Sequence, residues 1–329
     1  MNHNIKRGVS LYSYQEEVFL GKLDLESAIA ASAAFGANGI EIIPEQSFDN
    51  FPNLTEEQVA NWFDLHARYG TTPTAYDMFI DLKRRADRLM TKEEGVESIV
   101  RDIKLAARLG CKVIRVIINT PPEIFEAAAP YAEEYDVKLA VEIHSPMRYD
   151  HRWVQQFLEV IHRVNSPYLG LLPDMGTFVR IFPRVVSDRA LRDGGTPKLV
   201  DHIIKVYNDH PTDMHTLTRE IAWRGGNSID MSLATQAAAY NYVDPKTLIP
   251  HMPYLFHIQA KFYEMVDDTH EYSIPYDEII PLLIENGYNG YLSSEYEGNR
   301  HIQEAEAVDS VEQARRQHAM FARLLGEKD

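Results

Sequence analysis

The sequence predicts a closed (β/α)8 barrel, the TIM-barrel architecture, with a long helical insertion between the sixth and seventh strands. Three observations carry this. Short apolar runs alternate with amphipathic helical stretches along the chain, the pattern of parallel strands joined by right-handed helical crossovers. The runs are nearly continuous in apolar residues, as in strands covered by helices on the outside. Strand runs fall near residues 8–12, 39–43, 72–76, 113–118, 137–143, 168–173, 254–259 and 290–294, and eight strand–helix units suit a closed barrel better than an open doubly wound sheet. No Gly-rich phosphate fingerprint follows the first run, which speaks against a dinucleotide-binding fold.

Each element has its own signal. After the first strand, residues 25–36 read as a helix stopped by Gly36. The second strand carries Glu41, and a helix from about Thr55, whose hydroxyl makes a capping box with Gln58, runs to Tyr69. The third strand ends at Tyr76 and Asp77. Helices at about 92–109 and 122–135 lead into the fourth strand and into the fifth, which carries Glu142, and a last helix spans about 310–325. The link from Asp174 to Tyr254 breaks this rhythm and contains a helical stretch at 198–208 and an exposed-looking Trp223-Arg224 followed by two glycines. Residues 180–250 are therefore read as a lid or partner-docking surface, because βα connections emerge on the active-site face. The plain alternative is a tolerated surface elaboration. No linker divides the 329 residues, which are read as a single domain.

Composition sets limits on partners. At 45% hydrophobic and 25% charged, the chain is that of an ordinary globular protein, and the balance of 33 basic against 49 acidic residues gives −16. That balance speaks against nucleic acid, whose recognition needs a basic patch. No run approaches the roughly 18 apolar residues of a membrane span, and no apolar signal core follows Met1. A cytoplasmic location is the expectation. The single cysteine, Cys111, is read as a packed core residue rather than a nucleophile. Lys83-Arg84-Arg85 reads as a solvated helix face.

The chemistry gathers at strand ends. Glu142 and His144 are two residues apart and so share a strand face. Glu142, Asp174, Gln259 and Glu295 place one oxygen donor at the end of each of strands five to eight, a hard-ligand set that suits Mn²⁺ or Mg²⁺ better than Zn²⁺. Three carboxylates at one mouth repel one another unless a cation neutralises them. Singly, each has a plainer role: Glu142 paired with a buried Arg, Asp174 capping a helix, Glu295 at the rim, His144 packed among its neighbours. Tyr12, Glu41, Tyr76 and Asp77, at the ends of strands one to three, are candidates to line a substrate pocket, with a structural ion pair as the alternative for Glu41. Arg180, Trp223 and Arg224 could reach the pocket from the insertion or face a partner, and His301 reads as a loop histidine.

These residues carry a resemblance. Glu142 in Val-Glu-Ile-His, Asp174 in Pro-Asp-Met-Gly and Glu295 in Ser-Ser-Glu-Tyr-Glu resemble the xylose-isomerase-like barrel superfamily, which includes sugar isomerases, epimerases and inosose dehydratases. The resemblance implies a divalent ion held by Glu, Asp, His and Glu from consecutive strands. In His257-Ile-Gln259-Ala-Lys261 a glutamine stands in place of the usual histidine, with His257 about 6–7 Å deeper as the reserve ligand. Asp174 is followed by Met-Gly-Thr-Phe178 rather than a histidine, which lowers the epimerase reading. Glu-Ile-His-Ser-Pro, the stretch from Gln259 to Glu264, the stretch from Ser293 to Gly298 and the closing Gln313-Ala-Arg-Arg-Gln-His318 are most similar to the large (alpha) subunit of bacterial C-glycoside deglycosidases.

That similarity implies cleavage of the carbon–carbon bond between a flavonoid-like aglycone and a 3-oxo-glucosyl unit, a small beta subunit as partner, and an oligomer. A 3-keto sugar has an acidic proton at C2; a divalent ion on the keto oxygen would stabilise the enolate, and His144 would act as base on that proton or on an aglycone phenol. Glu142, Glu295, Lys261 or a metal-held water are candidates to protonate the aglycone carbon. Two other classes stay open: a sugar isomerase or epimerase using Glu142 and Glu295 as an acid/base pair, and a non-catalytic barrel serving as a binding subunit, suggested by Gln259.

Overall fold

The computed structural model describes residues 3–210, 214–240 and 242–327. Its strands are β1 (Lys6–Ser10), β2 (Gly39–Ile42), β3 (Thr72–Met78), β4 (Val113–Val116), β5 (Lys138–Ile143), β6 (Leu169–Pro173), β7 (Ile258–Phe262) and β8 (Tyr291–Tyr296). All neighbours are parallel, hydrogen-bonded in the order β6-β5-β4-β3-β2-β1-β8-β7. Isolated bridges Leu171–Leu255 and Asp174–Gln259 span the remaining seam. The result is a nearly closed (β/α)8 barrel.

Local sequence explains the elements. The expected capping box of Thr55 and Gln58 opens the helix Glu56–Tyr69, which ends at Gly70 with φ 67°, a left-handed cap suited to glycine. Asp24 with Ser27 and Thr91 with Glu94 form the same box on two other helices. Two shifts of strand boundary from the sequence reading bear on the site. Residues 11–14 form a 3-10 turn, so Tyr12 lies beyond β1. The seventh strand begins at Ile258 rather than near 254, because Pro245–Tyr254 is a 3-10 helix containing Pro250 and Pro253, and proline cannot donate to a ladder. Lys261 is thereby level with Glu295 on β8, and Gln259 with Ser293.

Strand alternation builds the site from below. Ala75, Val113, Ala140 and Leu172 form an apolar cluster with Phe256. Their outward neighbours, among them Tyr76, Ile114, Leu139 and Leu171, belong to the large core shared with the helices. Two residues beyond the four cluster residues of β3 to β6 come Asp77, Arg115, Glu142 and Asp174, on the same inward face and about 6–7 Å nearer the mouth. An apolar floor thus supports a charged ring.

The β6–β7 connection runs through helices Arg184–Arg192, Pro197–Asn208, Leu217–Trp223 and Ser228–Tyr240. Arg180 anchors its start, ion-paired to Glu278 at 2.5 Å and packed over the Tyr242 ring. Trp223 is 89% exposed. Among the described residues no helix is long and apolar enough to cross a membrane. Lys83, Arg84 and Arg85 lie on a loop, not on the expected helix, and Arg85 pairs with Glu94. Cys111 is buried, which raises its thiol pKa, in keeping with a packing role.

Closure of the seam depends on Gly170, where an added Cβ would stand 2.5 Å from the Tyr254 backbone oxygen and against the Phe256 ring. Gly170→Ala is expected to destabilise the fold by about 1–3 kcal/mol through this overpacking. A urea denaturation midpoint equal to wild type would contradict it.

Candidate active site

Seven strands contribute inward-facing polar side chains at the C-terminal end of the barrel, and they sort into two groups by how fully they are paired. The deeper group is closed. Glu41 on β2 is held by His257, whose Nε2 lies 2.6 Å from its Oε2, and by the Gln259 amide, which donates to Oε1 at 2.9 Å. Burial pushes the Glu41 carboxyl up, but the His257 and Gln259 contacts override it and hold the pKa at about 2. Glu41 and His257 thus form the structural ion pair anticipated as one alternative. Glu41, expected as a candidate for the substrate pocket, and His257, expected as the reserve ligand, are engaged with each other in this structure.

The outer group is centred on Lys261. Its Nζ donates to Asp174 Oδ2 at 2.6 Å and lies 3.5 Å from Glu295 Oε2 and 3.4 Å from Glu297 Oε1. Burial alone would lower the lysine pKa; Asp174, Glu295 and Glu297 outweigh it and drive it well above the usual value. Glu295 moves the opposite way. Burial raises its pKa, Lys261 opposes the rise, and Asp174, Glu297 and Glu142 add to it. Asp174 is fixed from both sides, since its Oδ1 also accepts from Gly176 N at 2.7 Å, the helix-capping role open to it from sequence.

On the opposite arc, the buried Arg115 guanidinium lies between Asp77, with Nε 3.3 Å from Oδ1, and Glu142, with Nη1 3.4 Å from Oε2. It also packs 4.5 Å from the Phe79 ring centroid. Burial and the Glu41 charge raise the Asp77 pKa well above the usual range. His144, half-buried and one residue past β5, has Nδ1 2.6 Å from the Ser145 carbonyl oxygen. Because that oxygen only accepts, Nδ1 is the donor in this contact, and in the neutral imidazole the lone pair then sits on Nε2.

The remaining expected residues fall outside this arrangement or at its edge. Tyr76 is the outward neighbour of Asp77, and its hydroxyl donates to Asp102 Oδ1 at 3.1 Å. Adjacent strand residues face opposite sides, so of the two only Asp77 faces the barrel interior. Arg180, a candidate substrate contact from sequence, is paired with Glu278 rather than with the ring. Arg224 pairs with Glu220. Tyr12 sits half-buried beneath Arg300, 5.0 Å from the ring centroid, and His301 is half-buried on the short helix Asn299–Ile302. A cavity of about 480 Å³ lies beside the loops after β1 and β2, lined by Leu11, Val18, Phe19, Leu25, Ala28 and Ile43 among others, and no ring carboxylate lines it.

Arg115 and Glu297 were missed in the sequence. The signals were there: an arginine in the apolar run Val113-Ile-Arg-Val, and a second glutamate two positions beyond Glu295.

In kind, the donors fit a hard divalent cation. Gln259 Oε1 and Glu295 Oε2 are buried oxygens with no hydrogen-bond partner among the described residues, beside carboxylates in excess over cations. In spacing, no three His, Cys, Asp or Glu side chains among the described residues converge as a metal-holding group. The Lys261 ammonium stands between Asp174 and Glu295 instead.

Fold and ring together define a (β/α)8 barrel with an enzyme-like charged mouth at the C-terminal strand ends. The chain belongs to the xylose isomerase-like TIM barrel family, whose model matches residues 29–321. It is 32% identical to the C-glycoside deglycosidase alpha subunit of Microbacterium trichothecenolyticum over 309 residues, 89% of this chain and 83% of that relative. A 3'-dehydrocarminate deglycosidase alpha subunit from Microbacterium sp is 28% identical, with 97% of this chain and 95% of the relative covered. Among solved structures, an L-ribulose 3-epimerase aligns with a TM-score of 0.58 at 13% identity, covering 98% of this chain and 95% of that one. That last likeness concerns the fold.

Proposed function

We propose that the protein is a divalent-metal-dependent carbon–carbon lyase that releases the aglycone from 3-oxo-C-glucosides, acting as the alpha subunit of a complex with a small beta subunit. The substrate class and the partner follow from the deglycosidase alpha subunits to which the chain is similar. The observation that carries the chemistry is the contact of His144 Nδ1 with the Ser145 carbonyl oxygen, at the end of the strand that presents Glu142, which leaves Nε2 of the neutral ring for the role of base.

His144 Nε2 takes the proton from C2 of the sugar, which the neighbouring C3 carbonyl acidifies. The electron pair left at C2 forms the C1–C2 double bond as the bond from C1 to the aglycone carbon breaks. That carbon gains a proton, for which the Lys261 ammonium, beside Asp174 and Glu295, is the candidate. The products are the aglycone and an unsaturated anhydro-ketose. Mn²⁺ or Mg²⁺ held by Glu142, Asp174, Gln259 and Glu295 would stabilise negative charge on the keto oxygen. Glu142 is kept in place by Arg115, and the ring's burial keeps water from the sugar's reacting face.

The test is incubation of the Mn²⁺-supplemented protein, alone and with a beta subunit, with a 3-oxo-C-glucoside while the aglycone is followed by chromatography. Release that stops with chelator and returns with Mn²⁺ is expected. An isomeric sugar as the only product would replace the lyase by an isomerase, and a protein that takes up no metal would favour a binding subunit. His144→Ala is expected to keep its metal content and lose at least ~10²-fold in rate; retained activity would move the base elsewhere.

A further inference from the structure

Two of the ion pairs in the barrel interior differ in how fully they close. Glu41 is met by His257 at 2.6 Å and by Gln259 at 2.9 Å, so both of its oxygens are engaged. Asp77 and Arg115 are register partners on β3 and β4, are 2% and 4% exposed, and approach no closer than 3.3 Å. Both Asp77 oxygens and Arg115 Nε lack a hydrogen-bond partner among the described residues. A guanidinium and a carboxylate serving structure alone would close to a bidentate contact near 2.8 Å, and buried polar groups are otherwise paired. The Phe79 ring and Glu142 hold the guanidinium from its other sides, so it stays short of Asp77. Two acceptors and one donor are thus set side by side, at the level of the ring, with nothing to bind.

We propose that Asp77 and Arg115 form the hydroxyl-binding subsite for the sugar ring, Asp77 accepting from two hydroxyls and Arg115 Nε–H donating to one of their oxygens. The inference rests on the sugar-substrate reading above and adds to it which end of the sugar lies where. The reacting C2 must lie at His144, beyond β5, whereas Asp77 is on β3, two strands or about 10 Å along the sheet. The hydroxyls that reach Asp77 are those farthest from C2, the 4- and 6-hydroxyls of a 3-oxo-glucosyl unit. The aglycone at C1 then points away from β3.

The probe is 1,5-anhydro-3-oxo-D-glucitol, which has the keto ring but no group to expel, compared with its 4-deoxy and 6-deoxy analogues by titration calorimetry on the Mn²⁺-supplemented protein. Wild type is expected to bind at least one deoxy analogue ~10-fold or more less tightly than the parent, the cost of leaving a buried acceptor unpaired. Asp77→Ala should bind the parent more weakly and lose the discrimination, and Arg115→Lys, which keeps the charge beside Glu142 but removes Nε–H, should flatten it in part. Wild type binding all three probes equally, or none of them, overturns the subsite whatever the variants do. So does undiminished discrimination in Asp77→Ala. Discrimination that persists in a protein releasing no aglycone supports the subsite and sinks only the lyase reading.

Discussion

Lys261→Met, studied with chelator present, is expected to unfold at a markedly lower urea concentration than wild type, and Mn²⁺ is expected to restore much of the loss. The lysine ammonium pairs with Asp174, Glu295 and Glu297, and of these only Glu297 meets a second cation among the described residues, Arg300 at 3.4 Å. Removing one partner of such a buried group leaves carboxylates without compensation, at a cost of about 3–5 kcal/mol. Proton uptake by Glu295, whose pKa already lies well above the usual range, would relieve part of that cost at low pH. The sign follows: a carboxyl whose folded pKa is raised favours the fold below that pKa, and its contribution falls as pH rises from the unfolded value through the folded one. The deficit in the variant should therefore widen from pH 5 to pH 8. Mn²⁺ at about 100 times its Kd would return about 2.7 kcal/mol if it binds only the folded chain. An unchanged midpoint would show that the ammonium does not hold the carboxylates; a lowered midpoint that Mn²⁺ fails to raise would remove the metal from this site.

The same lysine shows where the sequence was legible and where it was not. Alternating apolar runs and helices specify the barrel, and strand parity places Glu142, Asp174 and Glu295 at its mouth, because burial on one face fixes register to within a residue. Strand seven resisted, since apolar residues before it belong to a proline-rich 3-10 segment, and its displacement moved Lys261 rather than Gln259 level with Glu295. Pairing across the barrel was beyond reach for a different reason. The contact between Glu41 and His257 joins residues 216 apart in the chain, and no local pattern reports it. Arg115 had a local sign, a charge inside a covered strand, whose meaning depends on Asp77 and Glu142 arriving from either side. Tyr76 and Asp77 could have been separated from parity alone, as neighbours on one strand cannot both line the interior.

Asp174→Asn is expected to fold normally, bind Mn²⁺ at least ~10-fold more weakly and lose turnover by at least ~10²-fold, in line with losses at metal-orienting positions and general catalytic groups. The isostere isolates charge from shape. The introduced amide would retain a carbonyl oxygen to accept from Gly176 N, and the backbone bridge to Gln259 across the β6–β7 seam is untouched. What changes is the atom facing Lys261: Oδ2, which accepts from Nζ at 2.6 Å, becomes an amide donor opposed to an ammonium. The lysine must then turn toward Glu295 and Glu297, both within 3.5 Å of Nζ. That move shifts the charge balance of the whole outer arc. Glu142→Gln makes the complementary test on the other arc, where it would release Arg115 toward Asp77, and it should weaken Mn²⁺ binding without disturbing the Lys261 contacts. Melting temperature, calorimetric Mn²⁺ titration and aglycone release separate the three effects. Near wild-type turnover in either variant would dismantle the assignment of these carboxylates to the reaction, since each removes one formal charge from the mouth while keeping the size and shape of the side chain.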